Sequence, residues 1–284
     1  MRIGNFIGID LGGTHVRAGL VRAGELSEIA TTRIQADGSV EQVLRQIHDL
    51  IEGMDISGID AIGVGVPSVV DVEKGIVYDV QNIPSWKEIH LKSIFEGKYS
   101  VPVYVNNDAN CFALGEKYFG KGQGYQSIIG LIIGTGFGAG VIVNDQLYSG
   151  ANCGAGEFGM MPYLDSIYEH YCGGQYFTLH KGQSGEQLFR QALDGDKDAL
   201  RIFTEYGEHL GNGIKAILYA YDPEIIILGG SVRKAFELFE RSMWDSIASF
   251  AYPRSIKHLK IEVSELDNIA ILGAAALCYG HDKY

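Results

Sequence analysis

A carboxylate can do chemistry where an apolar stretch of chain ends in amides, and Tyr104-Val105-Asn106-Asn107-Asp108-Ala109-Asn110 is such a stretch. A β-branched and aromatic run stops at the Asn-Asn-Asp triplet, and near Asn110 an apolar pattern at helical spacing begins. This places Asp108 where a buried strand hands over to a helix N-terminus, the edge at which open α/β sheets hold their ligands. A carboxylate there could take a proton from a substrate hydroxyl as a general base. The stretch has a second reading, in which Asn107 or Asp108 only caps the helix.

Three pairs of glycines stand at the ends of other strand-like runs: Gly12-Gly13, followed by Thr14; Gly134 and Gly136, flanking Thr135; and Gly229-Gly230. Turns of this kind let backbone N–H groups approach a phosphate closely, although many Gly-Gly hairpins bind nothing. Asp10 is the one carboxylate in the first buried-looking run, and Glu157 the one carboxylate in the Gly-, Ala- and Asn-rich loop 148–159. Glu157 reads either as a surface acid or as a functional residue on a loop. Backbone donors at strand ends with a base beside them describe phosphoryl transfer to a hydroxyl. Acyl transfer has no G-x-S-x-G elbow here, there is no Walker A lysine motif, and residues 134–140 run into a strand rather than the helix of a dinucleotide fingerprint.

The elements that must position these groups follow from periodicity. Strand, glycine turn and strand occupy 6–21; a third strand spans 26–34, an amphipathic helix 40–54, and a buried strand 59–66 halted by Pro67-Ser68. The first unit recurs 122 residues later, with Ile7, Gly8, Gly12 and Val21 matched by Ile129, Gly130, Gly134 and Val143. The repeat predicts a duplicated α/β lobe with a cleft between the copies, and the break at Gly120-Lys121-Gly122-Gln123-Gly124 marks the boundary. Helices at 186–193 and 199–221, a strand closing on Gly229-Gly230, a helix over 235–250, a strand at 260–263 and an apolar helix at 269–279 complete the chain.

Composition excludes several classes. The 284 residues are 46% hydrophobic, enough for one large domain or two lobes. The formal charge of −12, with 23 scattered Lys and Arg, offers no basic stripe for nucleic acid. No apolar run approaches the ~20 residues that cross a bilayer. Four widely spaced cysteines and no basic, apolar leader point to a reduced cytoplasmic protein.

In order and spacing, Gly8-Ile9-Asp10-Leu11-Gly12-Gly13-Thr14, Gly63-Val64-Gly65-Val66-Pro67, Asn107-Asp108-Ala109-Asn110, Gly115-Glu116, Gly134-Thr135-Gly136, Ala155-Gly156-Glu157-Phe158-Gly159 and Leu228-Gly229-Gly230 resemble the ROK family (repressors, open reading frames and sugar kinases) over nearly the whole chain. The resemblance implies two ribonuclease H-like lobes of the actin/hexokinase type around a central cleft, a lobe of residues 1–120 completed by a C-terminal helix within 269–284, and a larger lobe of 121–268. It implies phosphorylation of a hexose or hexose derivative by ATP with Mg²⁺. Asp108 would be the base, Asn107 and Glu157 would hold sugar hydroxyls, and Asp10 would lie near metal and phosphates. Gly12, Gly13, Thr14, Gly134, Thr135 and Gly136 would hold phosphate groups, and Gly229 and Gly230 would approach adenosine. A homodimer follows from family habit.

The departures are specific. Where members of that family carry a histidine three residues after the loop glutamate, this chain has Met160, and a cysteine-rich zinc loop with a second glutamate is replaced by His170-Tyr171-Cys172-Gly173-Gly174-Gln175. Gln175 is assigned the place of that glutamate, and Ser68, where glycine is frequent, a contact with the sugar. Such changes alter which hydroxyls are recognised. A degenerate, non-catalytic sugar-binding homologue is the alternative, and a kinase of a small acid or one using polyphosphate a third reading. Only five residues precede the first strand, leaving no place for a DNA-binding helix-turn-helix. A structural zinc needs about four soft ligands, which this segment does not supply. Elemental analysis of protein purified without added metal is therefore expected to find no stoichiometric zinc.

Overall fold

Apolar runs broken by glycine fold into antiparallel hairpins, and each hairpin seeds one sheet. The computed structural model describes residues 4–80 and 82–279, so the last residues of the 269–284 segment lie outside the described residues. Two compact units result. One runs up to Gln123, takes in Leu147–Ala155 and resumes at Leu266; the other comprises Gly124–Gln146 and Gly156–Glu265.

In the first unit β1 (Asn5–Leu11), β2 (His15–Arg22) and β3 (Glu25–Arg33) form a meander. Helix α1 (Val40–Glu52) starts at a capping box, the Ser39 hydroxyl accepting from the Gln42 N–H and the Gln42 side chain from the Ser39 N–H, and buries Val43, Ile47 and Ile51 on one face. Strand β4 (Ala61–Val66), buried throughout, lies parallel to β1. A small sheet of β5 (Val69–Asp71), β6 (Ile76–Tyr78) and β7 (Glu88–Ile89) and helix α2 (Leu91–Tyr99) lead to β8 (Val103–Asn107), parallel to β4. Helix α3 (Asp108–Phe119) follows with no residue between, two residues earlier than the apolar pattern alone suggests. The sheet order is β3-β2-β1-β4-β8.

The second unit repeats that plan. Strands β9 (Ile128–Ile133), β10 (Phe137–Val143) and β11 (Gln146–Leu147) form the meander. A hairpin of β12 (Pro162–Tyr163) and β13 (Ser166–Ile167) and helices α4 (Tyr168–Cys172) and α5 (Gln175–Lys181) occupy a segment for which sequence pattern assigned no element. Then come α6 (Gly185–Leu193), α7 (Lys197–Tyr221), β14 (Ile225–Gly229), α8 (Phe236–Ile247), α9 (Pro253–His258) and β15 (Lys260–Val263). The order β11-β10-β9-β14-β15 matches the first sheet strand for strand, so the 122-residue repeat is a repeat of architecture. No helix among the described residues is long and apolar enough to cross a membrane.

The last helix, α10 (Ile269–Ala276), belongs to the first unit and lies backbone to backbone on its sheet. A Cβ at Gly63 would stand 1.8 Å from the Ala274 carbonyl oxygen, and one at Gly273 1.8 Å from that of Cys111 on α3. Backbone cannot yield as a flexible side chain can. Gly63→Ala is accordingly expected to lower stability to urea by about 3 kcal/mol, the upper end for overpacking. The control is Gly97→Ala in α2, where nothing lies within 4 Å of an added Cβ; this change should be neutral or raise stability by a few tenths to about 1 kcal/mol through helix propensity.

Candidate active site

In the first unit the site is built at the C-terminal ends of the parallel strands. Asp10, Gly65 and Asn106 sit in one row across β1, β4 and β8. Asn107 ends the strand and caps the helix, its Oδ1 accepting from the Ala109 N–H at 2.9 Å while its Nδ2 donates to the Ser68 carbonyl at 3.3 Å. Capping is thus the work of Asn107. Asp108 is the first helical residue, its Oδ1 also 2.9 Å from the Ala109 nitrogen, at the positive end of the helix dipole. Behind both stands Asn106, 2% exposed, whose Oδ1 accepts from the Asn107 N–H (2.8 Å), the Asn110 Nδ2 (2.9 Å) and the Cys153 Sγ (3.3 Å), and whose Nδ2 donates to the Ser149 Oγ (3.4 Å). This amide ties the 149–153 loop to the strand end.

Asp10 reaches the same edge from β1. Its Oδ2 accepts from the Arg17 Nε at 3.0 Å and NH2 at 2.6 Å, Arg17 being its direct neighbour across the hairpin. Burial pushes the Cys111 thiol well above its ordinary range, and the nearby charges of Asp108 and Asp10 add to the rise, so both carboxylates lie close to one buried sulfur. In the hairpin turn the Gly12 N–H donates to the His15 carbonyl at 2.9 Å, and Gly13 packs on Asn82 so closely that a Cβ would fall 2.5 Å from its Nδ2. Thr14 is exposed, its carbonyl accepting from the Ile34 N–H at 2.9 Å. The Ser68 hydroxyl donates to the Tyr78 carbonyl, which leaves the oxygen only as an acceptor for any ligand. Asp10, Ser68, Asn107 and Asp108 are thereby brought to one edge of one sheet.

In the second unit Gly134, Thr135 and Gly136 form the turn between β9 and β10, beside the end of β14, where Gly229 pairs with Ile132. Gly230 turns with φ +80°, and a Cβ there would lie 2.3 Å from the Ile133 carbonyl. The two corners open on a cavity of about 420 Å³, bounded by Gly134, Thr135, Gly174, Gln175, Ser231, Val232 and Lys234 and floored by Phe177, Phe189 and Phe203. Gln175 therefore sits beside the glycine turn. Its Nε2 donates to the Glu169 Oε1 at 3.1 Å, and Glu169, not Glu157, is its hydrogen-bond partner. Glu157 precedes a short 3-10 turn (Phe158–Met160), and its side chain is exposed. Partial loss of water around the carboxyl raises its pKa above the ordinary carboxylate value, and the charge of Glu169 raises it further. Met160, in the place of the expected imidazole, is 60% exposed. Among the described residues no three His, Cys, Asp or Glu side chains cluster as metal ligands.

A strand-end carboxylate in one α/β unit and a glycine-walled cavity in its structural repeat define an actin-like ATPase-fold protein, and comparison agrees. The ROK family model matches residues 6–280, and the chain belongs to that family. It is 29% identical to a glucokinase of Thermotoga maritima over 95% of this chain and 96% of the relative. It is also 29% identical to a xylose repressor of Caldicellulosiruptor bescii, over 97% of this chain and 78% of the repressor. A ROK family glucokinase from Streptomyces griseus, solved in complex with glucose and AMPPNP, superposes with a TM-score of 0.78 at 27% identity, covering 96% of this chain and 99% of that one.

Sequence reasoning missed Arg17, Asn106 and Glu169. The first two had a signal, Arg17 in the alternation of β2 and Asn106 in the run of amides; Glu169, in a short helix that went unassigned, had none. The raised pKa of Glu157 yields a testable sign. The folded protein holds that proton more tightly than the unfolded chain, so stability falls as pH rises from the ordinary value of 4.5 through the raised one. Glu157→Gln should melt at a higher temperature than the parent at pH 7, and the difference should close as the pH drops below 4.5, as read by thermal unfolding across pH.

Proposed function

We propose that this chain is an ATP-dependent kinase of a hexose or hexose derivative, with Asp108 as general base. The observation that carries the reading is Asp108 itself, a carboxylate set on the first turn of α3 at the end of β8 and flanked by a capping amide and a buried one. In this mechanism Asn107 and Glu157 hold sugar hydroxyls, with Ser68 accepting and Gln175 adjoining the phosphate turn. A substrate hydroxyl attacks the γ-phosphorus, its proton passes to Asp108, and the β–γ bridging P–O bond breaks to release ADP. The turns at Gly12, Gly13 and Thr14 and at Gly134, Thr135 and Gly136 hold phosphate oxygens, the Gly12 N–H staying on the His15 carbonyl and closing the first turn while its neighbours face the phosphate. Gly229 and Gly230 bring the corner after β14 against the nucleoside. Residues that fit Mg²⁺ are few but sufficient, since this ion is commonly held by one or two carboxylates plus substrate phosphates. Asp10 is that carboxylate, with Oδ2 bonded to Arg17 and Oδ1 remaining for the ion. When bound, Mg²⁺ would neutralise charge on the phosphates.

Four buried cysteines, none in a disulfide, support a cytoplasmic setting. The same reading makes the protein a homodimer that acts on sugar and nucleotide, without zinc and without nucleic acid. A non-catalytic sugar-binding protein is the second reading, favoured by the similarity to a xylose repressor and by the exposed Met160.

A coupled ATP-turnover screen over hexoses, their epimers, N-acetyl sugars and β-glucosides separates the two. One sugar is expected to turn over, and Asp108→Asn to slow that turnover by 10²–10⁴-fold or more while sugar still raises the melting temperature, the range expected for loss of a general base. Silence across the panel, with sugar still stabilising the parent, would leave the binding protein.

A further inference from the structure

We infer that Glu169 is a positioning residue for the nucleotide, holding the Gly134-Thr135-Gly136 turn in its donor geometry through a shared bracket with Gln175. The inference rests on the kinase reading only in taking ATP phosphates as what the turn holds.

The bracket closes on the turn from two sides. On one, the backbone N–H groups of Gly174 and Gln175 donate to the carbonyls of Gly134 (2.7 Å) and Thr135 (3.3 Å). On the other, the Glu169 Oε2 accepts from the Phe137 N–H at 3.2 Å. The second carboxylate oxygen takes the Gln175 Nε2 at 3.1 Å, so one side chain joins the far end of the turn to the residue that grips its near end. With carbonyls held on one side and an N–H on the other, the peptide planes between them are fixed. The carboxylate lies close against the turn: a Cβ at Gly136 would stand 2.6 Å from the Glu169 Oε2 and push it off its two donors. The same side chain lies against the segment carrying Glu157, with its Cβ 3.4 Å from where a Cβ on Gly159 would be. Its charge is also felt by Glu157. A carboxylate suits this place because it accepts from two donors at once, which neither an amide nor a hydroxyl does as well at this spacing.

Exchange of the two side chains tests the bracket. Glu169→Gln alone trades a charged acceptor for a neutral one, the Gln175 amide turning over to accept from the new NH₂ group, and Gln175→Glu alone sets two carboxylates together. The double exchange restores both hydrogen bonds, because the amide at 169 accepts from Phe137 and donates to the carboxylate at 175. With MgATP as titrant in calorimetry at a temperature well below unfolding, each single variant is expected to bind roughly tenfold more weakly, the scale of a charged hydrogen bond, and the double variant to recover to within about threefold. In steady-state kinetics the loss should appear in KM for ATP more than in KM for sugar. Singles that bind like the parent, or a double variant weakened by the product of the single effects, would overturn the inference. Should a single exchange fail to fold, Gln175→Ala serves instead: it leaves the Phe137 bond, and unchanged ATP affinity there would equally sink the bracket. A parent that binds MgATP but phosphorylates no sugar removes the kinase reading alone, because the affinity test stands without turnover; a parent that does not bind MgATP removes both.

Discussion

The first unit depends on a single residue serving two elements. Asn107 is paired with Val66 in the β4–β8 ladder and is also the N-cap of α3, so strand direction, helix direction and the position of Asp108 are set together. With no linker, rotating α3 would break the ladder. The amide behind it removes the remaining freedom. Asn106 is almost fully buried and bonded to four groups, and a buried amide that lost its partners would cost about 1–3 kcal/mol per unsatisfied group. Helix α10 then presses on α3 and on the sheet through glycine contacts too close for any side chain. A carboxylate on a helix fixed this way is pre-oriented before any ligand arrives.

The second unit uses the same topology with other residues at its strand ends. Where the first sheet ends in a carboxylate and an Asp–Arg pair, its repeat ends in glycine corners over a cavity. The division follows from residue types at equivalent ends: Asp10 on β1 has its counterpart in the apolar Ile132 on β9 at the same 122-residue offset. The glycine turn itself recurs in both copies, at Gly12-Gly13 and at Gly134 to Gly136, so what distinguishes the two sheets is the carboxylate at the strand end and not the turn beside it.

Local patterning made the sheets legible before any coordinates: apolar runs of strand length, glycine breaks, the capping serine at 39 and the amphipathic face of α1 are all short-range features. The place of Asp108 at a strand end was legible for the same reason, although the pattern alone put the helix start at Asn110, because it registers apolar faces and not caps. Segment 160–181 was not legible. Its helices are five and seven residues long, too short for periodicity, and they are held by tertiary contacts such as the Glu169 bracket and the Tyr206 hydroxyl on the Cys172 carbonyl. Gln175 shows the consequence. The family pattern suggests a hydroxyl ligand at this position; what no linear motif shows is that its protein neighbours are a glutamate six residues earlier and a turn forty residues earlier.

Glycines deserve separate accounts even within one motif. At 230 the left-handed backbone and the Ile133 carbonyl exclude a side chain, so glycine there is required by the protein's own packing and says nothing by itself about a ligand, whereas at 136 a Cβ would meet only the end of the Glu169 side chain, which can swing aside. Gly134 is different. Nothing in the described structure lies within 4 Å of a Cβ there, its φ is not left-handed, and it lines the cavity. Folding alone would tolerate alanine at that position and gain from its lower unfolded-state entropy. What glycine retains there is room for something to approach the backbone more closely than a methyl group allows, on the side of the cavity of about 420 Å³, and under the kinase reading that room is what a phosphate group would need.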